Sequence, residues 1–203
     1  MRDLPGSLTA AGRQDAEGAV KTTEDLARYR VVIEATRPEV IVEIGTFSGK
    51  SALWFARTGR CPVVTVDVHA QVSDETRAAS AELDVRYVVG DSRAASTGET
   101  VAAHVAGRDA MVVLDGDHSA DTVSEEMTRY HRLVPVGGYM VVEDGIVRWM
   151  PEQQQPDGPY RGSPLDAIER WLEKTAGAWA VDTELEDLYD TTQFPSGWLR
   201  RIA

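Results

Sequence analysis

Cysteine is almost missing from this sequence: Cys61 is the only one in 203 residues. One thiol cannot form an internal disulfide framework or a cysteine-based metal cluster, so it is read as a small buried side chain. Basic residues are also short, 21 against 33 acids, for a formal charge of −12. A surface of that sign repels phosphate backbones and offers no basic stripe, so nucleic acid is not an expected partner. No apolar run approaches the roughly 20 residues that a membrane span requires. The start, Met-Arg-Asp-Leu-Pro-Gly, lacks the continuous apolar stretch of a secretory signal. The expectation is a soluble, cytoplasmic chain without a membrane partner. Tyr-x-x-x-Lys, a pattern of one class of NAD(P)-dependent oxidoreductases, is missing too.

The length suits one domain with one core, able to bury well over half of its unfolded surface. Residues 1–22 show no clear period and are read as an N-terminal arm, flap or short helix, with the main domain over 23–203. Thr22 or Thr23 before Glu24 and Asp25 marks a helix start, because a hydroxyl caps free N–H groups and acids complement the helix dipole. Leu26, Tyr29, Val32 and Ile33 continue it at helical spacing. Strands are expected at 40–44, 63–67, 85–89, 110–114 and 139–142, and helices at 50–57, 73–82, 120–133 and 165–174. That alternation argues for an α/β fold with a parallel, doubly wound sheet, since each crossover must pass over one face. Segments 179–184 and 197–202 suit an antiparallel hairpin at the sheet edge. Residues 149–164, rich in Pro, Gly and Gln, form a loop that is either a connector or an active-site lid.

In open α/β sheets ligands bind beyond the carboxyl ends of the strands. Those positions are mostly acidic here. Glu43, Gly45, Thr46, Ser48, Gly49 and Ser51 form a glycine-bearing loop after the first strand. Its spacing is not the dinucleotide fingerprint G-x-G-x-x-G, and an acid at the strand end suits a cationic ligand group better than a pyrophosphate. S-adenosylmethionine (SAM) carries an ammonium and a sulfonium, so the loop favours SAM over NAD. Asp67, 24 residues after Glu43, ends the second strand where a carboxylate can accept both ribose hydroxyls, and Asp91 with Ser92 follows the third. Each acid alone suits a cap or a solvated loop. Their succession at strand ends is what caps do not predict.

A second cluster follows. Asp115 ends the fourth strand and Glu143 and Asp144 end the fifth, and neighbouring strands lie only about 4.8 Å apart. Carboxylates that close repel, so either some are protonated or a cation sits among them. A hard divalent ion with oxygen ligands, Mg2+ above others, is the natural occupant, unless Arg148 or Arg161 pairs with some of these acids. Asp117 competes with Asp115 for the first place. His118 sits inside the cluster, whereas His69, His104 and His131 read as packing or solvated residues, His69 with the option of bordering the cofactor. Four of the five tryptophans read as core or edge packing, and Trp149, at the start of the long loop, as a possible border of the acceptor.

The stretch Val-Glu-Ile-Gly-Thr-Phe-Ser-Gly-Lys-Ser ending at Ser51, with Asp67 and Gly90-Asp91-Ser92, resembles class I methyltransferases of the catechol O-methyltransferase type. A closer resemblance is to the cephalosporin-hydroxylase-like group, which includes metal-dependent sugar O-methyltransferases of antibiotic pathways. It is carried also by Arg37 to Gly45, by Val113-Leu-Asp-Gly-Asp-His-Ser119, by Leu133 to Asp144 and by Pro195 to Arg201, and spans roughly residues 24–203. It implies a Rossmann-like, mostly parallel seven-stranded sheet with an antiparallel edge strand. It implies SAM as cofactor, with Asp115 also beside it, a metal on Asp115, Glu143 and Asp144, and His118 as the base that takes a proton from the acceptor hydroxyl. The acceptor it implies is a hydroxylated small molecule, a sugar or natural product before a catechol-like phenol, and the assembly a homo-oligomer. Three rivals are weighed against it. Direct hydroxylation lacks a two-histidine-one-carboxylate iron site; an NAD(P) oxidoreductase lacks the loop spacing; a non-catalytic SAM-binding protein has no use for the second cluster.

Overall fold

The computed structural model describes residues 21–69, 71–151 and 162–203. Most of the expected arm, and residues 152–161 of the expected loop, lie outside them.

Helix α1 (Thr23–Thr36) starts where Thr22 accepts the N–H of Asp25, and ends at Arg37 in the left-handed region (φ 47°). Strand β1 (Val40–Ile44) is buried along its whole length, as a strand covered on both faces must be. Then come α2 (Lys50–Gly59), β2 (Val63–Asp67), α3 (Asp74–Ser80), β3 (Val85–Val89), α4 (Ala95–Val105), β4 (Ala110–Leu114), α5 (Ala120–Tyr130) and β5 (Tyr139–Val142). Past Trp149, α6 (Pro164–Thr175), β6 (Trp179–Val181), α7 (Thr183–Glu186) and β7 (Trp198–Arg201) finish the chain. Helix α4 was not anticipated. Its first half is polar and only Thr97, Val101 and Val105 are buried, which leaves almost no apolar period to read.

The seven strands run in the order β3-β2-β1-β4-β5-β7-β6. Strands β1 to β5 pair in parallel. Strand β7 is antiparallel to both β5 and β6, so the antiparallel strand lies one place in from the edge and β6 takes the edge itself. Gly197 makes that join possible: a Cβ there would stand 2.1 Å from the Val142 carbonyl oxygen. The anticipated hairpin is therefore real, with α7 inserted in its connection.

Parity along the strands sorts the core into two layers. Val40, Val42, Ile44, Val112, Leu114, Met140 and Val142 pack with α4, α5 and α6 on one face. Ile41, Met111, Val113, Tyr139 and Val141 pack with α1 and α2 on the other. Burial of each such Val, Leu or Ile contributes about 1.5–3 kcal/mol. Arg28, fully buried, fastens α1 to the C-terminal segment by donating to Asp25 and to the carbonyls of Leu185, Glu186, Tyr189 and Thr191. No helix among the described residues is long and apolar enough to cross a membrane.

Candidate active site

The chain reverses direction across the sheet between β1 and β4, and a cleft of about 630 Å³ opens there at the carboxyl ends of the strands. Gly45 shapes it. With φ at +103°, it brings the first loop so close to the end of β4 that a Cβ would lie 1.9 Å from the Asp115 carbonyl oxygen.

Of the residues read as cofactor-binding, Gly45, Thr46, Ser48, Ser51, Asp67, Asp91, Ser92 and Asp115 line this cleft. Asp67 holds the loop in shape: its Oδ2 accepts the backbone N–H groups of Thr46 (3.0 Å) and Phe47 (2.8 Å), and its Oδ1 that of His69 (3.0 Å). Asp91 stands half-exposed at the rim, where the Arg93 guanidinium holds its carboxyl below the usual range. Gly49 and Glu43 are not on the cleft wall. Gly49 (φ 77°) is the N-cap of α2, whose first turn no side chain caps, so its free N–H groups suit a ligand carboxylate. Glu43 is fully buried and accepts Thr65 Oγ1 at 2.6 Å. Burial pushes its carboxyl up to about 7, against the pull of Lys21, Ser51 and Thr65.

The second cluster divides in two. Leu114 and Val142 are register partners, so Asp115 and Glu143 are level with each other, both on the parity that faces α1. On that side the structure supplies a cation of its own. The Lys21 ammonium lies 2.7 Å from Asp115 Oδ2 and 2.6 Å from Glu143 Oε2, and Tyr29 donates to Glu143 Oε1 at 2.6 Å. Lys21 and Glu143 are each 2% exposed. Burial alone would lower the lysine, but Asp115 and Glu143 outweigh it and keep the ammonium charged. Burial and then Asp115 push Glu143 upward, opposed by Lys21.

Asp144 faces the other way. It takes a left-handed backbone (φ 56°) at the start of a 3-10 turn over Gly145–Trp149, which sends its carboxylate into the cleft. There His118 Nε2 lies 2.8 Å from Asp144 Oδ2. One ligating atom each from Asp115, His118 and Asp144 fall within 4.8 Å of one another. Glu143 is not in that trio, because Tyr29 and Lys21 hold both of its oxygens. Asp117 is not either: it is exposed and accepts the Ser119 N–H at 2.7 Å, at the start of α5. Arg148, read as a partner for these acids, pairs instead with Asp166 and Glu169.

Sequence reasoning missed Lys21, Tyr29 and Glu126. Lys21 precedes the first periodic segment and carries no signal. Glu126 did carry one: it falls on the apolar face of α5 with Val123, Met127 and Tyr130. It is 1% exposed, lines the cleft and accepts Ser92 Oγ at 2.5 Å. Burial pushes it up to about 7. Among the other aromatics and histidines, Trp54, Trp171, Trp179 and Trp198 are buried and Trp149 is 49% exposed. His131 stacks edge-on against Trp171. His69 and His104 are exposed.

A family model described as rhamnosyl O-methyltransferase/CmcI matches residues 16–202. A rhamnosyl O-methyltransferase of Mycobacterium tuberculosis is 30% identical over 189 residues, covering 89% of this chain and 74% of the relative. That of Mycobacterium leprae is 26% identical over 190 residues, covering 90% and 80%. Among solved structures, CmcI with Mg and SAM superposes at a TM-score of 0.69 and 21% identity, covering 100% of this chain and 82% of that one, a likeness of fold.

Proposed function

The chain belongs to the rhamnosyl O-methyltransferase/CmcI family, and from that premise we propose that it moves the methyl group of SAM to a hydroxyl oxygen of a sugar-bearing natural product in bacterial secondary metabolism. One observation carries this reading: a single cleft joins the Gly45–Ser51 loop to the Asp115, His118 and Asp144 trio. A methyl donor held at the first end has its acceptor at the second.

The residues fit the cofactor. The uncapped start of α2 suits its carboxylate, the end of β2 with Asp67 its ribose, and the acidic walls its ammonium and sulfonium. They also fit a divalent cation. The carboxylates of Asp115 and Asp144, partly open to the cleft, are donors for Mg2+ or a similar ion, with room for further oxygen ligands and with His118 beside them. Asp115 and Asp144 are the proposed carboxylate holders. Glu143 completes the expected set of three only where Lys21 withdraws from it, since that ammonium now balances its charge. When bound, the metal lowers the pKa of an acceptor hydroxyl and orients it.

The protein's own groups do the rest. Asp67 fixes the loop that places the methyl donor. His118 takes the acceptor proton on its imidazole, and Asp144 Oδ2, 2.8 Å from Nε2, stabilises the resulting cation. Attack in line with the methyl–sulfonium bond then needs little beyond alignment. Trp149, a few residues after Asp144 in sequence, borders the acceptor in this proposal; a homo-oligomer is its expected assembly.

Calorimetry with S-adenosylhomocysteine (SAH), together with methyl transfer from SAM to rhamnosides with free hydroxyls, tests it with and without Mg2+. SAH binding in the micromolar range and Mg2+-dependent methyl ethers are expected. Tight NAD binding without SAH binding overturns the proposal. SAH binding with no transfer to any hydroxylated acceptor, metal present, reduces the chain to a cofactor-binding protein.

A further inference from the structure

Glu126 is an acid out of water with half of its hydrogen-bonding capacity unused. Its Oε1 accepts Ser92 Oγ, but its Oε2, also buried, has no hydrogen-bond partner. Buried acceptors are almost always satisfied, and an orphan is costly enough to need a cause. The side chain lines the cleft. A partner for Oε2 can therefore come from a ligand there.

Topology narrows which part of the ligand that is. Glu126 projects from α5 to the gap between the loops that follow β3 and β4: Ser92 follows β3, and a Cβ on Gly116, just after β4, would lie 3.8 Å from Glu126 Oε1. Resting on the SAM reading above, the amino-acid end of the cofactor goes to the start of α2 and its methyl group toward His118 and Asp144. Its ribose goes to Asp67 after β2. The base is what remains, and the next strand end beyond β2 is that of β3, where Ser92 and Glu126 meet. The edge of adenine carries an exocyclic amine, a donor that an orphan carboxyl oxygen complements.

We propose that Glu126 is the residue that reads the cofactor's base, its Oε2 accepting a hydrogen bond from the adenine amine while Ser92 steadies its Oε1. Glu126 is thus a binding and specificity residue for the cofactor, with no part in the methyl step. The Asp91–Arg93 pair remains at the exposed rim, and the selective contact is made inside. A carboxyl that merely held Ser92 in place would leave the base unread, and that difference is measurable.

The test uses the full chain and calorimetry with two ligands, SAH and its 6-deamino analogue, which keeps the purine ring and lacks only the amine. The wild-type chain is expected to prefer SAH by about tenfold or more, the cost of leaving a buried acceptor unpaired. In Glu126→Leu, SAH weakens by about tenfold and the analogue by less than threefold, so the preference collapses. Glu126→Gln retains a carbonyl acceptor and keeps the preference within about threefold of wild type. An unchanged preference in Glu126→Leu overturns the assignment while leaving the cofactor reading intact. So does an equal loss of both ligands in Glu126→Leu and Glu126→Gln, which marks a structural role. A wild-type chain that binds neither ligand overturns both proposals.

Discussion

The carboxylates after β2 and β3 and those after β4 and β5 are the same chemical group at equivalent places in the fold, yet their charges are balanced in opposite ways. Asp67 is met by three backbone N–H groups and Asp91 by an arginine in solvent. Asp115 and Glu143 share one lysine ammonium that is 2% exposed. Water screens the rim pair, so its loss costs little, whereas removing one member of a buried set strands the others without solvation. Being at a strand end therefore says that an acid is near the site. Whether it then meets ligand or protein is decided by what covers it: Asp115 and Glu143 share one parity, yet only Asp115 also lines the cleft.

The largest expected effect breaks the buried half. Lys21→Met strands two acids and is expected to destabilise the fold by about 3–5 kcal/mol in denaturant titrations without divalent ions. Mg2+ is expected to return part of that loss by taking the vacated place. A loss under about 1 kcal/mol shows that Lys21 does not carry the charge balance of the two buried acids. His118→Ala, on the open side of the same cluster, is expected to lower kcat by about 10²–10⁴ while SAH affinity by calorimetry stays within about threefold. An unchanged kcat takes His118 out of the proton transfer.

Glu43 sharpens the comparison through pH. Its folded carboxyl sits at about 7, above its ordinary 4.5, so between those values the folded chain keeps a proton that the unfolded chain has released. Its stabilising contribution is complete below about 4.5 and is lost as pH rises through about 7. Glu43→Gln is expected to remove on the order of 2–3 kcal/mol of that decline. Glu126, also raised to about 7, and Asp115 and Glu143, raised by burial, contribute to the remainder, and superimposable stability–pH curves for wild type and Glu43→Gln argue against a buried, proton-holding Glu43. On the cofactor side the effects shrink. Asp67→Asn, which weakens the acceptor for the loop N–H groups, is expected to cost SAH about tenfold in affinity. Arg93→Ala, whose partner Asp91 is 44% exposed, is expected to stay within about 0.5 kcal/mol in thermal unfolding.

Periodicity made much of the fold readable. Five apolar runs of strand length alternate with helical segments, and the capping residues Thr22, Ser73 and Ser119 sit where the structure uses them. Helix α4 escaped because its polar first half and sparse apolar contacts leave no stripe. Much of the site was readable for a similar reason, since acids that end successive strands are gathered by the sheet itself. Parity alone leaves the division among them open: Glu43, Asp67, Asp115 and Glu143 all share the odd parity of Ile41, Val63, Met111, Val113 and Val141, which pack toward α1 and α2, yet Asp67 and Asp115 line the cleft and Glu43 and Glu143 do not. What parity could not show is that a lysine would be waiting there.

The sequence by itself determined the five parallel strands and most of the helices between them, the glycine loop after β1, and the acids that end the strands, because hydrophobic period and turn chemistry act over a few neighbouring residues. Only the tertiary structure decided which acid meets which charge. Lys21 reaches Asp115 across 94 positions and Glu143 across 122, and Glu126 meets Ser92 across 34. Electrostatic balance in a buried site depends on distance in space and on exclusion of water, and neither is written in the spacing of residues along the chain.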